Sequence, residues 1–374
     1  MSSSEAAVDL AALAHNWSLL RRRAGGRRVI AVIKADAYGH GAVPAARCLT
    51  RTGCDRFAVA SLDEVAALRR GGVAAPVLLL GGVHGPAEAR AALSLAATPV
   101  LHGEREAAWL AEAARELGGR VPVHVEIDTG MRRLGVSPDE APALLEKLAA
   151  SPELDLEGVS THFARADEAD PAPTRAQLES FRRVVDAARA RGVRPRSIHA
   201  ANSAALLAAR EWGESVLAGD AVRPGLALYG VAPAPHLADP ELRPVMTLRS
   251  RVVAVRRVRA GDPVGYGATW RAPGSGWLAS VPIGYADGLP WSAGSRGQLL
   301  IAGRRRPIAG RVSMDVTTAW LGEEVVAVGE VAVAFGTAAG GERLAVEELA
   351  RAAGTMPYEI LVRVGARVPR VVVA

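Results

Sequence analysis

IAVIKADAYGHG, residues 30–41, is the stretch on which the reading of the fold turns. With Val29 it gives an unbroken apolar run, VIAVI, that stops at Lys34 and passes into a polar loop carrying Tyr38, Gly39 and Gly41. A short apolar run closed by turn residues reads as a strand buried on both faces. In a parallel α/β barrel the carboxyl ends of such strands form the mouth where active sites lie, which would put Lys34 there. The plain alternative is a strand-end lysine that buries its stem and keeps its ammonium in water.

Outward from this stretch, the first two-thirds of the chain repeats the same theme. Further strands are expected at 56–59, 76–79, 98–101, 121–127, 156–161, 197–200 and 221–228. Amphipathic patterns between them predict helices at 44–51, 62–70, 86–95, 104–117, 138–149, 174–190 and 203–211. Strands alternating with helices imply βαβ units and a parallel sheet. About eight such units suit a (β/α)8 barrel of TIM type, which typically takes about 250 residues. A doubly wound open sheet competes, and the pattern alone does not separate the two.

The pattern changes at PAPHLADPELRP, residues 233–244, a proline-rich linker. Beyond it come β-type runs at 248–258, 277–283, 298–301, 315–320, 325–328 and 331–335, with a helix expected only at 346–353. The expected fold is therefore α/β: an N-terminal (β/α)8 barrel over residues 1–238 and a mainly-β domain over 239–374. The opening residues could pack with the second domain.

Composition narrows the function. The net charge is +6, but basic residues lie beside acidic ones throughout, apart from short clusters at 21–23 and 304–306. A nucleic-acid protein would gather its cations on one face or in a recognised motif, so no nucleic-acid partner is expected. No apolar stretch is long enough to cross a membrane, and the opening residues lack a basic segment followed by an apolar one, so a cytoplasmic protein without a membrane partner is expected. Cys48 and Cys54 cannot form a disulfide framework, and no metal-ligand spacing occurs.

Lysine usage is more pointed. The chain writes its cations as arginine and holds only two lysines, Lys34 and Lys147. Lys147, in APALLEKLAA, has an ordinary polar helical setting. Lys34 ends an apolar strand, where a charge is costly without a partner or a task. Arginine stays protonated and forms no Schiff base, whereas a lysine amine can lose its proton and form one.

The segment around Lys34 resembles the cofactor-attachment motif of the alanine racemases, a fold-type III family that uses pyridoxal 5′-phosphate (PLP). The resemblance runs in order along nearly the whole chain. It takes in AAVDLAALAHNW (6–17), DTGMRRLG (128–135), STHFARAD (160–167), HAANSAA (199–205) and VRPGLALYG (222–230). VGYGATW (264–270), VPIGYADG (281–288), GRVSMD (310–315), PYEIL (357–361) and RVPR (367–370) continue it.

What the resemblance implies can be set beside what each residue type can do. It gives Lys34 the covalent link to PLP, and Tyr38, Ser203, Gly225, Leu226 and Tyr358 the phosphate. Ser203 opens a predicted helix, where a hydroxyl and free backbone N–H groups suit an anion, though it also reads as a plain N-cap. Gly225 permits close backbone approach. Arg223 is implied to face the pyridine nitrogen, which a permanent cation would keep as an unprotonated acceptor. That makes a weaker electron sink and suits quick return of a proton. Read without the family, Arg223 could equally be an ion-pair residue and His162 a core histidine.

Racemisation needs a proton carrier on each face of Cα. The resemblance gives one face to Lys34 and the other to Tyr266 from a second subunit. Phenols hold their proton at neutral pH, so Tyr266 needs help, and His162 resembles the family histidine that links it to Arg223. Arg133 is implied to bind the PLP phenolic oxygen and the substrate carboxylate. Tyr285, Met314 and Asp315 resemble the substrate entry, and Asn202 stands beside Ser203 in support. Three positions depart from the common family pattern. Glu126 stands where many members carry a carbamylated lysine, and as a carboxylate it could orient Arg133 without carbamylation. Arg132 stands where glycine is usual, and Ser313 where cysteine is frequent.

The implied function is interconversion of L- and D-alanine by two-base proton transfer on PLP, in a homodimer with shared sites, supplying D-alanine for peptidoglycan. A racemase of another amino acid such as serine, or a fold-type III PLP decarboxylase, are the alternatives. A non-catalytic PLP-binding barrel would lack the second domain.

Overall fold

The computed structural model describes residues 4–373. Strands Ala31–Val32, Phe57–Val59, Val77–Leu79, Ala97–Leu101, Val121–Ile127, Leu154–Thr161 and Ser197–His199 lie side by side in chain order, every pair parallel. Ala221–Val222 pairs in parallel with Arg28–Val29, which leads directly into the first strand. Ile30 N donates to Val222 O at 2.9 Å, Val32 N to Pro224 O at 3.0 Å, and Asp220 N to Ile198 O at 3.0 Å. These bonds join the last strand to both the first and the seventh, so the sheet closes into the expected barrel rather than the open sheet.

Helices Ala42–Arg51, Leu62–Arg70, Pro86–Ser94, Glu104–Leu117, Ala141–Ala149, Ala172–Ala190 and Ser203–Trp212 connect the strands. Their starts are written locally. Ser61 and Glu64 form a reciprocal capping box at the head of Leu62–Arg70. Asn202 Oδ1 accepts from Ala205 N at 3.0 Å at the head of Ser203–Trp212. These two caps fix where their strands give way to helix, and that point is the mouth of the barrel. The core runs continuously from the barrel strands into the C-terminal sheets.

Glu5–Asp9 pairs antiparallel with Met246–Arg251 and parallel with Arg370–Val373, so both ends of the described chain join the C-terminal sheet. Val331–Thr337, Gln298–Ile301 and Arg304–Pro307 extend that sheet. Ala254–Val258, Gly276–Val281 and Thr317–Gly322 form a second, antiparallel one.

Several expectations need correction. The run 248–258 is two strands, because Val252 N bonds Glu330 O while Val253 N bonds Ser280 O, and the chain changes sheets between them. The run 325–328 is a loop, with Val325 61% and Val328 65% exposed and no strand to pair with. The strand at 221–228 ends at Val222, since Pro224 has no N–H to donate and Leu226–Tyr229 coil into a single tight turn. Two helices were not anticipated. Leu10–Arg23 is capped by Asp9, which accepts from Ala12 N at 2.8 Å, and Pro357–Val362 follows a proline start.

Candidate active site

The mouth is built around Lys34. The four residues after it, Ala35, Asp36, Ala37 and Tyr38, all adopt left-handed backbone, with φ between 51° and 54°. Non-glycine residues rarely do so in succession, because Cβ crowds the following carbonyl. The turn is pinned from three sides. Glu64 accepts from Ala35 N at 2.5 Å, Asp36 accepts from Ala42 N at 2.6 Å, and Arg370 donates to Gly39 O at 2.9 Å.

Lys34 is half-buried and makes no ion pair or hydrogen bond among the described residues. Burial first, then the Arg133 guanidinium, lowers its amine from the usual lysine range, with Arg223 acting the same way and Glu64 and Glu126 opposing. Neutral amine is the form that adds to a carbonyl.

Arg223 is 5% exposed and is held by donated bonds. Its Nη2 gives to Thr161 O at 2.8 Å, to Ala200 O at 3.4 Å and to His162 Nδ1 at 3.3 Å. Its Nη1 gives to His199 O at 3.0 Å and to the His199 ring. No carboxylate lies within ion-pair distance of it among the described residues. His162 is brought to about 3, by burial first and then by Arg223, Arg133 and Lys34, so it is a neutral imidazole. Gln177 fixes this loop by donating to His162 O at 3.1 Å and to Thr129 Oγ1 at 3.2 Å, while accepting from Ala164 N at 2.9 Å.

Ser203 Oγ accepts from Gly225 N at 2.9 Å and Ala227 N at 3.2 Å. Tyr38 packs against Tyr229 and Tyr358, with ring centroids 4.9 and 6.1 Å away. A Cβ on Gly225 would fall 2.3 Å from Tyr38 Oη, so the phenol occupies the space that any larger residue would need. Leu226 is fully buried behind it. Burial pushes the Tyr358 phenol up to about 12 and Tyr38 higher still, so both are protonated donors.

The structure thus brings Lys34, Arg133, His162 and Arg223 into one electrostatic cluster, and Tyr38, Ser203, Gly225, Leu226 and Tyr358 into one wall. Glu126, 9% exposed, makes no ion pair with Arg133 among the described residues, and its charge acts on Lys34 and Arg223 instead. Arg132 takes the left-handed backbone that glycine favours, φ 57°, and its side chain is 76% exposed, 3.8 Å from Asp128. The position reads as a turn constraint, and the extra bulk goes to solvent.

Tyr285, Met314 and Asp315 form a separate group. Tyr285 N donates to Ser313 O at 3.0 Å, and Arg367 bridges Asp315 at 2.8 Å and Asp287 at 2.7 Å. Tyr266 is 71% exposed and has no hydrogen bond or ring contact with Lys34 or His162 among the described residues. Within one chain the two groups are not joined. Sequence reasoning missed the titratable residues deeper in the barrel, His124, His199 as a side chain, and Glu157. The available signal was a histidine and a glutamate inside otherwise apolar strand patterns.

Comparison with known proteins gives one answer. The model of the alanine racemase N-terminal domain matches residues 8–233, and that of the C-terminal domain matches residues 245–372. An alanine racemase of Sorangium cellulosum is 41% identical, with 99% of each chain covered, and one of Mycobacterium ulcerans is 41% identical over 98% of this chain and 94% of its own. Among solved structures, the alanine racemase of D-cycloserine-producing Streptomyces lavendulae superposes with a TM-score of 0.93 at 37% identity, covering 100% of this chain and 98% of that one. That of Streptomyces coelicolor gives 0.93 at 38%, covering 99% and 98%. With both halves matched and such identity along the full length, the chain belongs to the alanine racemase family.

Proposed function

We propose that this protein interconverts L-alanine and D-alanine with PLP held on Lys34. The observation that carries the reading is the unpaired, half-buried Lys34 at a barrel mouth whose wall holds Ser203, Gly225 and two phenol donors. The donor set suits PLP. A lone amine matches the aldehyde, Ser203 with Tyr38 and Tyr358 matches a phosphate, and a fixed guanidinium matches a ring nitrogen that must accept a hydrogen bond. PLP, when bound, withdraws electrons from the substrate Cα and makes its proton labile.

The chain's own residues account for the rest. Lys34, its amine pK lowered by burial and by Arg133, can take or give a proton on one face of Cα. Tyr266 serves the other face, reaching in from a second copy. His162, neutral and accepting from Arg223 at Nδ1, carries its proton on Nε2 and can donate it to that phenol oxygen when it arrives. Arg133 orients the substrate carboxylate. Arg223, held by backbone carbonyls and two imidazoles, keeps the pyridine nitrogen as an acceptor. Tyr285, Met314 and Asp315 line the entry from the second copy. The exposure of Tyr266, Met314 and Trp291, at 71%, 52% and 55%, supports a homodimer with shared sites. A border between the two domains near residue 238, work in the cytoplasm and supply of D-alanine to peptidoglycan precursors belong to the same reading, the last two on family grounds. No helix among the described residues is long and apolar enough to cross a membrane.

The test is to give the PLP-loaded protein L-alanine, L-serine and L-lysine separately and resolve the products by chiral chromatography. D-alanine formed fastest, and lost in Lys34→Ala, is the expected outcome. Amine and CO2 in place of D-product would make it a decarboxylase instead.

A further inference from the structure

The barrel interior below Arg223 holds charged and polar groups that the proposed function does not use. His199 is fully buried on Ser197–His199, and its Nε2 lies 2.8 Å from Nδ1 of His124, also fully buried, on Val121–Ile127. His124 Nε2 faces Glu157 Oε2 across 3.7 Å, and Glu157 Oε1 pairs with Arg56 at 2.6 Å. The slot is built for the ring, since a Cβ on Gly158 would fall 2.3 Å from His124 Nδ1 and Cε1.

The proton positions follow from the Arg223 end. A guanidinium only donates, so His199 Nδ1, which it meets in the shortest contact of the set, must be bare. A neutral His199 then carries its proton on Nε2 and donates to His124 Nδ1. His124 in turn carries its proton on Nε2, aimed at the Glu157 carboxylate. The opposite order would let Arg56 donate to His124 Nε2 at 3.5 Å, but it would set an N–H of His199 against an N–H of Arg223. Arg223 is also fixed on His199 O at 3.0 Å, whereas the Arg56 contact is at the limit of hydrogen bonding, so the Arg223 end decides.

We propose that Glu157, His124 and His199 form a directional relay that positions Arg223 from below. Arg223 has no carboxylate at ion-pair distance among the described residues, Glu126 acting on it only through space, and the chain Arg223–His199–His124–Glu157–Arg56 places one anion between two guanidiniums. Removing that anion leaves two like charges flanking two neutral rings in a dry interior. The contacts of Glu157 with His124 first, and with Arg56 after it, hold its carboxyl at about 2 against burial, so the anion persists at neutral pH. Burial lowers both imidazoles, which keeps them neutral. The relay residues act through Arg223 and are positioning residues.

This inference rests on the proposed role of Arg223 toward PLP, and two measurements separate their fates. The first uses the unaltered protein grown on 15N-labelled histidine. Ring-nitrogen shifts should show His124 and His199 as neutral Nε2–H tautomers, and an Nδ1–H at His199 would overturn the relay. The second is Glu157→Gln with Glu157→Asp beside it. Losing a buried charged hydrogen-bond partner should lower kcat by about tenfold or more, with KM changed by less than about threefold, and should move the absorption band of PLP on Lys34. Glu157→Asp should recover part of both. A Glu157→Gln protein that melts earlier but keeps its band and kcat would make the network merely structural. If the unaltered protein forms no D-alanine, the proposed function falls, and the tautomers alone still decide the relay.

Discussion

Ala35 is the residue where sequence and backbone disagree most openly. It begins four left-handed residues, each at a cost of about 1 kcal/mol or more relative to ordinary helical backbone. The turn persists because Glu64 accepts from Ala35 N, Asp36 accepts from Ala42 N just beyond it, and Tyr38 packs in a tilted contact with Tyr229. Its consequence is that Lys34 and Tyr38 face the same mouth although only a short turn separates them. A β-branched residue in this backbone adds crowding at Cβ, so Ala35→Val should cost about 1–2 kcal/mol, read as a lower urea midpoint with unchanged slope. Ala35→Gly should lie within about 1 kcal/mol of the parent, because glycine enters the left-handed region freely while losing more freedom on folding. Equal losses in both variants would show that the left-handed backbone is not what limits this site.

Between elements, the Lys34 turn is locked to the C-terminal region. Arg370, the first residue of the last described strand, donates to Gly39 O at 2.9 Å, Gly365 O at 2.7 Å, Val368 O at 2.8 Å and Val364 O at 2.6 Å. A Cβ on Gly39 would lie 2.5 Å from Leu361 O, and φ there is +83°. The turn therefore keeps its shape only while helix Pro357–Val362, which carries Tyr358, sits on it. Arg370→Met, which keeps the stem and removes the donors, should cost about 2–4 kcal/mol and weaken PLP retention, measured by denaturation and by dialysis of the loaded protein. Retention unchanged despite lower stability would mean that the lock serves folding alone. The sequence made the alternation of strands and helices legible because most strands are short apolar runs and helices such as Leu62–Arg70 and Ser203–Trp212 carry their own caps. It could not show the lock, since Arg370 and Gly39 meet only through a fold that brings the chain's end to its beginning. The relay was hidden for the same reason. His124, Glu157 and His199 sit on three different strands, and nothing local tells a buried histidine from one facing water. The C-terminal strands were read less well because Val325–Val328 and Val252–Val253 have β-type composition, and only the presence or absence of a partner strand decides their fate.

For the whole molecule, buried neutral histidines set the response to acid. His40, held at about 4 by burial, and His162, at about 3, join His124 and His199 in having folded pK values below the unfolded imidazole. The unfolded chain therefore binds more protons than the folded one below pH about 6.5, and stability present above that value is lost as pH falls toward 4. Each histidine contributes up to about 1.4 kcal/mol per pH unit in this window, whose upper part, between pH about 6.5 and 5, lies above the range where most carboxylates protonate. Urea unfolding at pH 7, 6 and 5 should show the decline, and a flat profile would mean that these rings are charged or wet. Assembly gives the sharpest test of the site itself. Lys34 and Tyr266 are unconnected within one chain, yet the proposed reaction needs both at one substrate. If each site takes Lys34 from one copy and Tyr266 from the other, chains carrying Lys34→Ala and chains carrying Tyr266→Phe are each nearly inactive alone. Co-produced with different tags, they form mixed dimers in which one site has both residues intact and the other has neither. Random pairing puts half the dimers in this class, so about a quarter of the unaltered activity should return. Mixed dimers isolated through both tags should reach about half of it. No recovery in the isolated mixed dimer would mean that Tyr266 acts within its own chain, and the exposed face around Met314 and Trp291 would then need another occupant.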